Sequence, residues 1–238
     1  MQKVIRFLDK LTDRVLALAF LAVFLIGVWF IYDTAYVFYH ASADRVAAYR
    51  PSAEKETQPG EKTLTEDVVA WLTVADTTID YPVMQGKTNT QYLNTDPYGE
   101  YSLAGSIFLD SRNAGDFSDD YSLVYGHHMA GGYMFGALDR YEDEAYFEAH
   151  RAGTLTVGEH VYEINAFAVL LTDAWEEALF EPQGSEAALA VAEENALYWR
   201  EPENTHLLAL STCGDGSGPE RTVVLFTISD PGGGGASE

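Results

Sequence analysis

HLLALSTCGDGSGPERTVVLFTIS (206–229) is the stretch on which the reading of this chain turns. Two runs rich in Leu, Val, Phe and Ile, 206–212 and 221–229, read as strands, and the polar glycine-rich connection between them reads as a loop. The only cysteine in 238 residues, Cys213, stands where the first strand gives way to Gly214-Asp215-Gly216-Ser217-Gly218. A lone cysteine has no internal disulfide to form, so in an exported chain its thiol needs another role, and a reactive nucleophile is the first candidate. A thiol buried in mid-strand is usually inert packing, whereas one at a strand end beside a flexible loop can meet a substrate. Arg221 opens the second strand and is the only basic residue after Arg200. It reads either as a surface charge or as a fixed cation that steadies a thiolate or a developing oxyanion.

Working outward, the same pattern of short apolar runs recurs at 68–74, 79–85, 105–110, 121–126, 153–158 and 161–172, separated by Gly, Asn, Asp and Pro clusters. Together with the first two, these make eight strands. Only two segments in this region read as helices, 133–149 and 185–200, the latter placing Leu189, Ala192, Ala196 and Trp199 on one face. Many short strands with few helices predict a mainly β domain, a closed or nearly closed barrel with peripheral helices, over residues 64–230. Residues 33–63 read as a helix (34–50) followed by a linker, and the tail 231–238, PGGGGASE, as flexible.

The N-terminal region reads differently. VLALAFLAVFLIGVWFIY (15–32) carries no charge, and at roughly 1.5 Å per residue it covers most of a hydrocarbon core of about 30 Å. A cleaved signal peptide is the rival reading, since Ala41-Ser42-Ala43 resembles a cleavage site; the apolar run is long for that, and the site lies well beyond its end. Residues 1–14 hold Lys3, Arg6, Lys10 and Arg14 against Asp9 and Asp13, a net of +2. The positive-inside bias therefore predicts a cytoplasmic N-terminus and an extracellular remainder. Subtracting that +2 from the total of −23 leaves −25 for residue 15 onward. Such a charge argues against nucleic acid or anionic lipid as a partner of the outer region, and it opposes ionisation of a thiol.

Of the six histidines, His127 and His128 directly follow the strand YSLVYG (121–126), a strand end before a loop. Neighbours along a strand point opposite ways, so only one of the two can face the thiol. His206 starts the strand that Cys213 ends, roughly 23 Å away in extended chain. Two adjacent histidines make poor joint ligands, and no Cys-x-x-Cys or His-x-x-x-His spacing accompanies them, so neither metal nor cofactor is expected.

Four blocks together resemble the class B sortases. LALSTCGDGSGPER (208–221) is similar to that family's T-L-S-T-C…R motif, with Ala209 where Thr is usual, and VYGHHMAGGYMFGAL (124–138) to its Y-G-H-x-M…M-F segment. YPVMQGKTNTQYL (81–93) and GSIFLDSRNAGDFSD (105–119) resemble two further blocks. The resemblance implies an eight-stranded sortase barrel and a membrane-anchored cysteine transpeptidase on a Gram-positive-type surface. Such an enzyme cleaves an LPxTG- or NPxTN-like sorting signal at Thr and passes the protein, through a thioester, to an amine of the cell wall or of a pilin. It implies Cys213, His127 and Arg221 as catalytic residues, with Asn89, Leu93 and Ser211 near the substrate. Asp215 becomes a carboxylate that orients the histidine, or else a solvated loop residue. Hydrolysis by the same trio, as a cysteine endopeptidase, remains open, as does a non-enzymatic surface adhesin. In this acidic setting, with Asp215 and Glu220 nearby, the Cys213 pKa is expected not to be strongly depressed.

Overall fold

Residues 2–51, 62–182, 184–213 and 218–230 are described by the computed structural model. The linker residues 52–61, Asp215 and the tail 231–238 lie outside the described residues. The chain divides into two units, Met1–Tyr39 and His40–Glu238. The first consists of helix α1 (Gln2–Ala41), whose last two residues fall in the second unit. Leu18, Phe20, Phe24 and Ile31 on α1 are all exposed, and its stretch Val4–Ala41 is long and apolar enough to cross a membrane.

The helix expected over 34–50 ends at Ala41, and short 3₁₀ turns follow at Ala43–Arg45 and Ala47–Tyr49. The Ser42 side chain accepts a hydrogen bond from the Asp44 amide, and the chain turns so that Ala41 and Val46 enter the core of the second unit. Tyr81 secures the turn by donating to the Ala41 carbonyl at 3.0 Å.

All eight expected strands form, each within two residues of its anticipated ends. They are β1 (Val68–Val74), β2 (Asp80–Met84), β3 (Ile107–Leu109), β4 (Tyr121–His127), β5 (Ala152–Val157), β6 (His160–Asp173), β8 (Leu207–Cys213) and β9 (Glu220–Ser229). Neighbours run β5-β1-β2-β3-β4-β8-β9-β6, and pairing of β5 with β6 closes the barrel. A ninth strand, β7 (Tyr198–Trp199), pairs with Ala168 and Val169 of β6. It corrects the second expected helix: α4 stops at Asn195 (Ser185–Asn195), and Trp199 packs edge-on to Phe167 from β7 instead of from a helical face. The other helical segment is a 3₁₀ stretch, Phe135–Glu142, followed by α2 (Glu144–Ala149), which Asp143 caps through the Tyr146 amide.

Burial explains why the strands at the centre read as continuous apolar runs. Leu208 and Leu210 of β8, Val124 of β4, and Val224, Phe226 and Ile228 of β9 fill the barrel interior. The intervening residues, Leu207 and Ala209, Tyr121 and Leu123, and Val223 and Leu225, form a second core on the outer face with Leu179, Ala188 and Ala192. These strands are apolar on both sides, as buried strands must be. In β6 the parity reverses at a bulge between Ala166 and Ala168: Ile164 and Ala166 belong to the inner core before it, and Val169 after it.

Gly126 lies one residue from the end of β4 and has no room for a side chain. An added Cβ would sit 2.6 Å from Ile107 Cδ1 and 2.7 Å from Phe135 Cγ. Gly126→Ala is therefore expected to lower unfolding free energy by about 1–3 kcal/mol through overpacking. Urea denaturation of the detergent-solubilised chain checks this, and an unchanged midpoint would show that Phe135 yields freely.

Candidate active site

The pairing of β4 with β8 is parallel and unbroken from Tyr121 opposite Leu207 to His127 opposite Cys213. Residues paired in this way point to the same face of a sheet, so the ladder itself brings the His127 ring and the Cys213 thiol to one side, at the same level. On the other flank, β8 and β9 are antiparallel up to Ser211 opposite Val223. Beyond that pair the Thr212 hydroxyl accepts from the Thr222 amide at 3.0 Å, and Arg221, near the start of β9, lines the same clefts as Cys213. The ends of three adjacent strands thus carry His127 on β4, Cys213 on β8 and Arg221 on β9.

Cys213 borders two clefts that differ in character. The smaller, about 350 Å³, is lined by Asn89, Leu93, Phe108, Tyr125 and Phe180 among others, and is mostly apolar. The larger, about 620 Å³, is lined by Asp139, Glu142, Asp173 and Glu220 together with His128. Thr212, Cys213 and Arg221 belong to both, so the thiol and the guanidinium lie on the boundary between them.

The two histidines part as expected. His127 places Nε2 2.6 Å from the Leu93 carbonyl, so that nitrogen carries the proton and donates. His128 turns instead to Asp139, 2.6 Å away on the side of the larger cleft. The Leu93 carbonyl can approach because Gly105, at φ 59°, leaves space: a Cβ there would lie 2.4 Å from that oxygen. His206 stands apart, with Nε2 2.8 Å from the Phe117 carbonyl.

Arg221 donates to the carbonyls of Gly218 at 3.1 Å and Glu220 at 2.8 Å, which ties the guanidinium to its own loop. Cys213 is half-buried, packed with Leu93 and Tyr125 against Met84, Tyr92 and Phe108. Its surface is partly open, yet the dense surroundings of the thiol dominate its ionisation. Burial pushes the pKa up to about 12, and Arg221 pulls it down only in part. The expected absence of a strongly depressed pKa is consistent with this, but its cause is burial and not the acidic surroundings.

Of the remaining candidates, Asn89 and Leu93 both line the smaller cleft. Ser211 is fully buried two residues before Cys213 on the same strand face, its hydroxyl donating to the Thr212 carbonyl at 3.2 Å. Sequence reasoning missed Tyr125 and Phe180 as cleft walls, and also Asp110, whose carboxylate holds the Asn89 amide at 2.8 Å. A carboxylate directly after the apolar run of β3, followed by Arg112, was the available signal.

An eight-stranded barrel with a single thiol at a strand end, beside a histidine and an arginine, has the architecture of a sortase. A sortase-domain family model matches residues 72–228, and the chain belongs to the sortase family. Sortase B of Listeria monocytogenes is 38% identical over 168 residues, spanning 66% of this chain and 68% of that protein. Sortase B of Staphylococcus aureus is 34% identical over 109 residues, 46% of this chain and 45% of its own length. A Streptococcus pyogenes class B sortase involved in pilus biogenesis superposes with a TM-score of 0.65 at 42% identity, covering 69% of this chain and 93% of that one. The chain is accordingly a class B sortase, a cysteine transpeptidase of cell-wall sorting that acts on surface proteins bearing sorting signals.

The raised thiol pKa sets a pH dependence. Thiolate forms only as pH climbs toward 12, so alkylation of Cys213 by a small neutral reagent should accelerate continuously up to at least pH 9. Arg221→Gln, which removes the attraction, should slow it at every pH. A plateau reached below about pH 7 would falsify this account.

Proposed function

We propose that Cys213, His127 and Arg221 carry the transpeptidation, and that the observation supporting this most directly is the ladder register that sets His127 beside Cys213. The Cys213 sulfur attacks the carbonyl carbon of a threonine in an LPxTG- or NPxTN-like signal. The oxyanion of the tetrahedral intermediate is stabilised by Arg221. His127 protonates the leaving amine as the C–N bond breaks, and a thioester on Cys213 remains. An incoming amine then attacks the thioester, His127 accepts its proton, and the new amide departs with the thiol restored. Because burial keeps the resting sulfur protonated, attack must coincide with loss of the thiol proton to His127.

The apolar cleft suits the sorting signal: Asn89 and Leu93 are assigned to contact it, and Ser211, buried two residues before Cys213, to support that side from beneath. The acidic cleft suits an amine acceptor, since ammonium groups are drawn toward Asp139, Glu142, Asp173 and Glu220. We assign the acceptor to a pilin or a cell-wall precursor; the likeness to an S. pyogenes class B sortase involved in pilus biogenesis favours the pilin. Asp215 is retained as a carboxylate that orients the histidine. Residues 15–32 anchor the chain in the membrane, with 1–14 cytoplasmic, 33–63 bridging, 64–230 forming the catalytic domain outside, and 231–238 a tail.

The test is turnover of a fluorogenic sorting peptide by the full chain, with and without added amine. Cys213→Ala should abolish cleavage altogether. His127→Ala and Arg221→Ala should each reduce kcat by about 10²–10⁴-fold. Amine should divert product from hydrolysis to the transpeptidation adduct. Cleavage that is indifferent to amine at every concentration would make the protein an endopeptidase, and cleavage that survives Cys213→Ala would sink the mechanism.

A further inference from the structure

The apolar cleft has walls from three separate parts of the chain, and one shielded carboxylate bonds to two of them directly and to the third through Arg112. Asp110 follows β3 and is completely buried. It accepts from Asn89 Nδ2 at 2.8 Å, from the Tyr125 hydroxyl at 3.2 Å, and from Arg112 through the backbone amide at 2.9 Å, Nε at 2.9 Å and Nη2 at 2.8 Å. Arg112 extends the connection: Nη2 also donates to the Phe180 carbonyl at 2.7 Å, and Nη1 pairs with Glu181. Asn89 comes from the loop after β2, Tyr125 from β4, and Phe180 from helix α3 (Glu177–Phe180), and each faces the cleft that contains Cys213.

A carboxylate without solvent is costly unless every lone pair is answered, and here the donors outweigh burial enough to hold the Asp110 pKa below the usual carboxylate range. α3 is a single turn whose N-cap, Glu176, forms no side-chain cap, so it has little stability of its own. Tyr121 holds one point of it, donating to the Leu179 carbonyl at 2.8 Å. Arg112 holds the next residue and so determines how far Phe180 stands from Asn89 and Tyr125.

We propose that Asp110 and Arg112 are positioning residues that fix the width of the apolar cleft, and thereby select the extended peptide segment bound beside Cys213. The assignment of that segment as a sorting signal rests on the function proposed above; the clamp on α3 does not. A sorting signal enters between walls that are already set, so disturbing the clamp should weaken peptide binding more than the chemistry at sulfur.

Two measurements on the full chain in detergent decide the matter: kinetics with fluorogenic LPATG and NPATN peptides, and amide hydrogen exchange of residues 176–182. Arg112→Gln is the main variant, because the Arg112 side chain is partly exposed and the Arg112 backbone amide, Asn89 and Tyr125 still donate to Asp110. It should raise KM about tenfold with kcat within about threefold, the loss expected for charge-assisted hydrogen bonds. Exchange over 176–182 should accelerate about tenfold or more. Arg112→Lys should recover only part of the binding, since one ammonium cannot span two Asp110 contacts and the Phe180 carbonyl. Leu155→Ala, in the barrel core of β5, should destabilise the fold without changing either readout. An unchanged KM, unchanged exchange, or an equal KM rise in Leu155→Ala overturns the proposal. Should the wild-type chain process neither peptide, the function reading fails for those substrates, and exchange alone decides for or against the clamp.

Discussion

The parallel register between β4 and β8 is the constraint from which the rest of the molecule follows. Parallel neighbours cannot be joined by a hairpin, so the chain between His127 and Leu207 must leave the barrel end and return. On that excursion it builds α2, the β5–β6 closure of the barrel, and the α3–α4 segment that covers the outer face. The register itself is held by two-sided burial. A slip of one residue would exchange Leu208 and Leu210 with Leu207 and Ala209, forcing large side chains into the space that Ala209 shares with Ala188 and Ala192. Core packing therefore fixes the height of Cys213 against His127 before any polar contact between them is considered.

Charge and burial act on the thiol in different ways. A net charge of −25 beyond the N-terminal segment suggests that a field of carboxylates governs its ionisation. Ionic screening largely removes the effect of exposed charges beyond about 10 Å, whereas desolvation acts at contact. The contacts of Cys213 are Leu93, Tyr125 and the cluster behind them, and Arg221 is the cation that offsets part of their effect. The nearby carboxylates of the larger cleft lie on one side of the thiol only, and under the proposed mechanism they act on the acceptor rather than on the nucleophile.

Much of this was legible in the sequence, and the parts that were not share a cause. Strands announced themselves because β-branched and aromatic runs are bounded by glycine, proline and Asx clusters, and Cys213, His127 and Arg221 each fell at a strand end. Their meeting was not legible, because strand order depends on pairings between distant segments. Trp199 was misplaced because its spacing from Ala192 and Ala196 fits a helix, while its burial against Phe167 is tertiary and overrides that local pattern. The break after Ala41 was hidden for the same reason: Ala41 and Val46 leave the helical path in order to enter the core. Asp110 ends the expected strand 105–110 and nothing local marks its role, because its partners Asn89 and Tyr125 come from segments that only the fold brings to it.

Reactivity and selectivity are consequently built on different foundations. The floor of the site consists of ladder hydrogen bonds among β4, β8 and β9, which involve backbone and tolerate many side chains. The walls of the apolar cleft include a loop and a single helical turn, which side chains hold in place. Substitutions around the Asp110 and Arg112 contacts can thus reshape the peptide cleft while the barrel keeps Cys213 and His127 in register. The fold separates what must stay constant for acyl transfer from what must vary to recognise a particular signal, and the boundary between the two runs through Tyr125, which belongs to the ladder by its backbone and to the Asp110 cluster by its hydroxyl.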